Sequence, residues 1–184
     1  MRKRLKWYLV GPIQWTEDFM HWREETQEFL EECGHEALFP WGEIYHGKKG
    51  KAVFTEWATT MPLDDYLGRV RKYMRRYVIK WDLKAVEASD GIIFWLPKNV
   101  KTVGSYGELT TIYFLAIHKK LAKWKGSHKK IFVITTIPLG NLSNWMIGCS
   151  DRIFFNWKDF REYFIKHFNN KKKVRQNDKK MEVS

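Results

Sequence analysis

The sequence predicts a doubly wound α/β domain built on a mostly parallel sheet of five strands with helices on both faces. Two observations carry this expectation. Apolar segments of strand length alternate with segments of helical period. The apolar segments also lack the in-and-out alternation of a strand that shows one face to water, as expected when both faces are covered. At 184 residues, 44 % of them hydrophobic, one domain can bury a core without disulfide staples.

The elements follow in order. Residues 5–10 (Leu-Lys-Trp-Tyr-Leu-Val) read as a strand ended by the turn signal Gly11-Pro12. Thr16 is placed to cap a helix over about 17–32, with Phe19, Trp22, Phe29, Leu30 and Cys33 at helical spacing and Gly34 as its stop. Ala37-Leu38-Phe39 is a second strand, closed by Pro40, and 41–61 reads as a long glycine-containing loop. From Leu63 to about Ala88 the period is helical, as two consecutive or kinked segments. The run Gly91-Ile92-Ile93-Phe94-Trp95-Leu96 is a buried strand.

A loop with Pro97 and Gly104 then leads to a helix over about 107–122, and Ile131-Phe132-Val133-Ile134 is the next buried strand. A loop at 137–143, a short helix near 144–147, a last strand over 152–155 and an amphipathic helix over 157–168 complete a domain at 1–168. The remainder, 169–184, reads as a basic disordered tail. The architecture is of the flavodoxin-like or Rossmann-like kind, in which ligands sit beyond the carboxyl ends of the strands. The loops that matter are then 11–15, 40–60, 97–107 and 135–146.

Composition narrows the function classes. Cys33 and Cys149 are the two cysteines, and neither stands in a metal-ligand or redox spacing, so neither a disulfide framework nor a metal site is expected. No apolar run approaches the ~20 residues of a membrane span, and the first residues lack a signal-peptide pattern; a cytoplasmic protein without a membrane partner is expected. The net charge is +12, of which residues 169–184 contribute +4 through six Lys/Arg against two Asp/Glu. No nucleic-acid motif accompanies this charge, so a solvated lysine-rich surface is preferred over nucleic-acid binding. The same field favours small phosphate-bearing substrates.

The strand-end loops offer candidate chemistry. Tyr8, Gly11 and Gln14 follow or end the first strand. Beyond the strand 91–96 comes Val103-Gly104-Ser105-Tyr106-Gly107-Glu108, a carboxylate at a helix start with two glycines that let backbone approach a ligand. A helix N-terminus favours the ionised carboxylate, which suits a nucleophile; the plain alternative is that Glu108 only complements the helix dipole. Asp82 lies on the preceding helix, and two carboxylates facing one pocket would divide glycosidic cleavage between attack and proton transfer. Asp90, in Ser89-Asp90-Gly91, reads better as a turn residue.

Taken together, Tyr8-x-x-Gly11-Pro12, Trp81-Asp82-Leu83, Ser89-Asp90, Val103-Gly104-x-x-Gly107-Glu108-Leu109 and Asn144-Trp145-Met146 resemble, in this order and spacing, the nucleoside 2'-deoxyribosyltransferases. The resemblance runs from about residue 5 to 165. It implies that Glu108 is a nucleophile forming a covalent deoxyribosyl-enzyme, that the Tyr8 hydroxyl positions that carboxylate, and that Asp82 assists proton traffic on the departing base. Within the segment Asn144-Trp145-Met146, it implies that Asn144 contacts the sugar's 5' end from a neighbouring subunit. A homo-oligomer with shared active sites is therefore expected, with nucleosides, nucleotides and free nucleobases as small-molecule partners and no metal or organic cofactor. Gln14, Trp15 and Trp41 are candidates for lining the base pocket, with core packing as the alternative for each.

One position departs from the family. Where the transferases carry an aspartate that holds the 5'-hydroxyl, this chain has Thr102, next to Lys101. Related nucleoside 5'-monophosphate N-glycosidases carry a small hydroxyl residue there, because a carboxylate repels phosphate. Three readings follow, in order of preference: base exchange between deoxyribonucleosides, hydrolysis of a (deoxy)nucleoside 5'-monophosphate by the same Glu108, and a non-catalytic basic module that binds nucleic acid.

Overall fold

The computed structural model describes residues 3–12, 19–41, 56–99 and 129–170. Within them five strands form one sheet: β1 (Lys6–Val10), β2 (Glu36–Leu38), β3 (Gly91–Leu96), β4 (Lys130–Thr135) and β5 (Arg152–Phe154). Their order is β2-β1-β3-β4-β5, and every neighbouring pair is parallel. The sheet, expected to be mostly parallel, is parallel throughout, and its order is the flavodoxin-like one of the two architectures expected.

Both faces of the sheet are covered, which explains the apolar strands. Trp7, Leu9, Ile93, Phe132 and Ile134 point to one face, where α1 (His21–Glu32) and α5 (Trp157–Phe168) bring Trp22, Phe29, Leu30, Phe160 and Phe164. This layer is aromatic: Trp7 stacks on Phe132 at 5.5 Å and meets Phe164 edge-on at 5.1 Å. Tyr8, Val10, Ile92, Phe94, Leu96, Ile131 and Val133 point to the other face. There they meet Val86 of α3 (Lys80–Ala88) and Met146 and Cys149 of α4 (Asn144–Cys149).

Several boundaries differ from the sequence reading. The first helix starts at His21, not near 17, because Phe19 and Met20 form a bend whose Phe19 carbonyl is held by the Arg23 guanidinium. Gly34, at φ 82°, ends α1 in the left-handed conformation that favours glycine. Residues 56–60, expected as loop, are helical. The helical stretch from Leu63 is two consecutive segments, as the sequence reading has it: α2 (Leu63–Tyr73) passes through a π-helical turn, Met74–Ile79, into α3. No residue of α2 is fully buried; Val78 and Val86 are the first to turn inward. The helix α4 runs on to Cys149, and β5 stops at Phe154, with Phe155 left exposed. The helix expected over 107–122, Thr16, most of the loop 41–61 and nearly all of the tail lie outside the described residues.

Two aspartates close the amino edge of the sheet. Asp90 accepts the Lys6 backbone N–H at 2.9 Å and the Lys3 ammonium at 2.8 Å. Asp151 does the same for the Ile131 N–H at 2.8 Å and for Lys130 at 3.0 Å. Burial opposes the charge on Asp90, yet the hydrogen bonds from Lys3 and Lys6 outweigh it and lower its pKa. The turn reading of Asp90 agrees with this position.

His35 joins the chain's far ends. It is buried, accepts the Leu5 N–H at Nδ1 (3.2 Å) and donates from Nε2 to the Phe168 carbonyl (2.7 Å). This arrangement needs the neutral ring. Burial lowers its pKa, the Phe168 hydrogen bond opposes the shift and Arg4 adds to it. Because the folded-state value lies below the ordinary ~6.5 of an unfolded histidine, the contribution is complete above that pH and is lost as pH falls through the folded value. The wild type should therefore lose thermal stability as pH falls below about 6.5, and His35→Phe should be less stable at neutral pH but flatter over the same fall. An equal slope in the variant would clear His35 of the effect.

Candidate active site

In a parallel sheet of this order, the helices after β1 and β3 leave on opposite faces and open a crevice between the carboxyl ends of those two strands. Val10 and Phe94 are paired neighbours there, and Gly11 and Pro97 begin the departing loops. The candidate residues can be placed about this point.

Tyr8 stands on β1 opposite Ile92 and is fully buried on the α3/α4 face. Asp82 occupies the first turn of α3 and is half-buried. It precedes Ala85 and Val86 by three and four residues, so it shares their helix stripe. Both pack in the cluster that contains Tyr8. Since α3 runs back toward the amino end of β3, Asp82 lies one turn nearer the carboxyl edge than Val86. Met146 is fully buried in the same cluster. Tyr8 and Met146 are thus buried in one cluster, and Asp82 stands one turn along α3 from the residues that pack there.

Asn144 is not brought to them. It begins α4 and is exposed, while Met146, two residues on, points inward. Ser143 caps this helix by accepting the Trp145 N–H at 3.2 Å. The outer side of α4 carries an open hollow of about 300 Å³ lined by Asn144, Trp145, Gly148 and Cys149. Burial raises the Cys149 thiol pKa, which keeps it protonated and unreactive. Trp41 is 45 % exposed with its ring 5.0 Å from Phe39. Glu108, Thr102, Gly104, Gln14 and Trp15 lie outside the described residues. Among the described residues there is no cluster of His, Cys, Asp or Glu able to hold a metal ion, and no helix is long and apolar enough to cross a membrane.

Gly11 has a packing reason to be glycine. A Cβ there would stand 2.7 Å from the Trp22 ring and 3.0 Å from the Trp95 carbonyl oxygen. Its own carbonyl accepts Nη2 of Arg23 at 2.8 Å, and Nη1 of the same fully buried guanidinium donates to the Phe19 carbonyl at 2.5 Å. One arginine therefore ties together the two ends of the loop that leaves β1. The cation also lies 4.5 Å above the Trp22 ring. Sequence reasoning passed over Arg23, although its spacing to Thr26 and Leu30 puts it on the apolar stripe of α1, where a charge calls for explanation. On the other side of the crevice, Thr135 is buried, donates to the Leu96 carbonyl at 2.7 Å and accepts the Ile137 N–H at 3.0 Å.

Arg23→Leu would strand two carbonyls in the interior and should lower stability by about 2–4 kcal/mol in urea unfolding. Gly11→Ala should cost about 1–3 kcal/mol through the Trp22 and Trp95 contacts. Wild-type midpoints for both variants would remove the loop closure inferred for this arginine.

No family model matches the sequence, and no curated protein matches it. Among solved structures, the fold resembles the 2-deoxyribosyltransferase of the psychrotolerant bacterium Bacillus psychrosaccharolyticus, described as a biocatalyst for nucleoside synthesis. The TM-score is 0.52 and the identity 18 %, over 85 % of this chain and 90 % of that one. The SEFIR domain of interleukin-17 receptor B aligns at a TM-score of 0.38 and 15 % identity, over 88 % and 95 % of the two chains, which is too low to bear on function. The chain shares its α/β fold with a glycosyl-transferring enzyme.

Proposed function

We propose that this chain is a nucleoside 2'-deoxyribosyltransferase. The observation that supports the proposal is that Tyr8 and Met146 are buried in one cluster on one face of the sheet, with Asp82 one helical turn from Val86 of that cluster. These three are residues through which the sequence resembles that family, and the fold they stand on is similar to that of a 2-deoxyribosyltransferase.

In this reading the Glu108 carboxylate attacks C1' of a bound 2'-deoxynucleoside. The new O–C1' bond forms as the C1'–N bond breaks, and the departing base takes up a proton managed by Asp82. A second base then attacks C1' and releases Glu108, so two inversions retain the configuration. The Tyr8 hydroxyl orients the nucleophile. Gly11, Gln14 and Gly104 border the sugar and base, and the exposed Asn144 serves the 5' end of a sugar held by a neighbouring protomer in a homo-oligomer. No cofactor is required by this chemistry.

Thr102 supports a second reading, in which a (deoxy)nucleoside 5'-monophosphate is hydrolysed by the same carboxylate, water replacing the second base. A threonine beside Lys101 admits a phosphate that an aspartate would repel.

Incubating the protein with a deoxynucleoside and a different free base should yield the exchanged nucleoside by chromatography. Base release from the monophosphate alone would select hydrolysis instead, and inactivity toward both would overturn the enzymatic reading. Glu108→Ala should reduce turnover at least ~10³-fold with the fold retained, whereas a wild-type rate would exclude Glu108 as nucleophile. Thr102→Asp should shift the ratio of kcat/KM values away from the monophosphate toward the free nucleoside if the 5' group lies beside it.

A further inference from the structure

The long helical stretch sorts part of the chain's positive charge into one place. Between Leu67 and Lys80 there are six cations and no carboxylate: Arg69, Arg71, Lys72, Arg75, Arg76 and Lys80. All six are exposed. Among the described residues none of them takes part in an ion pair. Arg69, Lys72, Arg76 and Lys80 follow one another at intervals of three, four and four residues along this helical path, which passes through the π-helical turn Met74–Ile79. Like charges at this spacing repel and weaken the helix that carries them, so the row is unfavourable until an anion meets it.

An aromatic row, Tyr66, Tyr73, Tyr77 and Trp81, flanks the cations. Tyr73 and Tyr77 are 5.0 Å apart, Arg76 lies 5.2 Å from the Tyr77 ring centre, and Lys84 lies 5.1 Å from that of Trp81. Trp81, at the end of the row, is 54 % exposed. Regularly spaced cations beside flat rings match a phosphodiester backbone carrying unstacked bases. An anionic membrane is a poorer fit, because insertion needs a broad apolar face, and the tyrosines of this stretch are half-buried within the fold.

We propose that the exposed row from Arg69 to Lys80 binds single-stranded nucleic acid through its phosphates, with Trp81 as a stacking plane for a base. The proposal does not rest on glycosyl transfer and holds whether or not that activity is found.

Fluorescence anisotropy of a labelled oligothymidylate with the full chain tests this. Affinity should fall linearly with salt on logarithmic axes. The variant Lys72→Gln/Arg76→Gln/Lys80→Gln should bind about tenfold or more weakly, with the slope reduced by about 2. Trp81→Leu should weaken binding without changing the slope. A charge-matched control, Lys98→Gln/Lys158→Gln/Lys166→Gln, should stay near wild type, and saturating thymidine should not compete. The proposal is overturned if the wild type does not bind, if the control loses as much as the row variant, if thymidine displaces the strand, or if phosphatidylserine vesicles bind more tightly than the oligonucleotide. Circular dichroism checks folding; should the triple variant unfold, the single variant Arg76→Gln carries the same comparison with a slope change of about 1.

Discussion

The central strands β1, β3 and β4 are buried on both faces, and the rest of the structure depends on that constraint. A strand with Trp7 and Leu9 on one side and Tyr8 and Val10 on the other cannot lie at a surface. Helices must therefore cover both sides, and parallel strands joined by helices all end at the same edge. That edge collects the loops after β1, β3 and β4. The opposite edge is closed by Asp90 and Asp151, whose carboxylates are already engaged by strand N–H groups and lysines. The acidic residues are thereby divided: Asp90 and Asp151 hold the amino edge of the sheet together, and Asp82 stands half-buried in the first turn of α3.

The two faces contribute differently. The face under α1 and α5 is a lattice of aromatic rings in which Phe132 touches Trp7, Phe154, Phe160 and Phe168, a rigid support that leaves little freedom to β1 and β4. The face under α3 and α4 has Tyr8 and Phe94 as its only rings among the described buried residues, set among aliphatic side chains, Met146 and Cys149. A catalytic constellation needs groups fixed by packing rather than by loop conformation alone. Here Arg23 and Thr135 add hydrogen bonds at the mouths of two loops, so that each loop departs from a fixed point.

The exposed charge has a comparable logic. Composition gives a basic protein, which by itself points to nothing beyond solvation. Folding the stretch from Leu63 to Ala88 into one helical path leaves the cations of 69–80 outside, because Val78 and Val86 take the inward positions. The surface that results has a direction and a spacing, which a list of lysines and arginines lacks.

The sequence by itself determined the element types, the two-sided burial of the strands and the parallel sheet, because hydrophobic period is a local property of the chain. It also singled out Tyr8, Asp82 and Met146 by motif. Only the tertiary structure decided that Tyr8 and Met146 share a buried cluster while Asn144 is exposed, since a side chain's direction depends on how its helix is rotated against the sheet. The same holds for Arg23. Its neighbours in sequence mark it as a misplaced charge on an apolar stripe, and its purpose emerges only when Gly11 and Phe19, at the two ends of one loop, present their carbonyls to one guanidinium. Hydrogen-bond partners of that kind are set by packing in three dimensions, which no period in the sequence encodes.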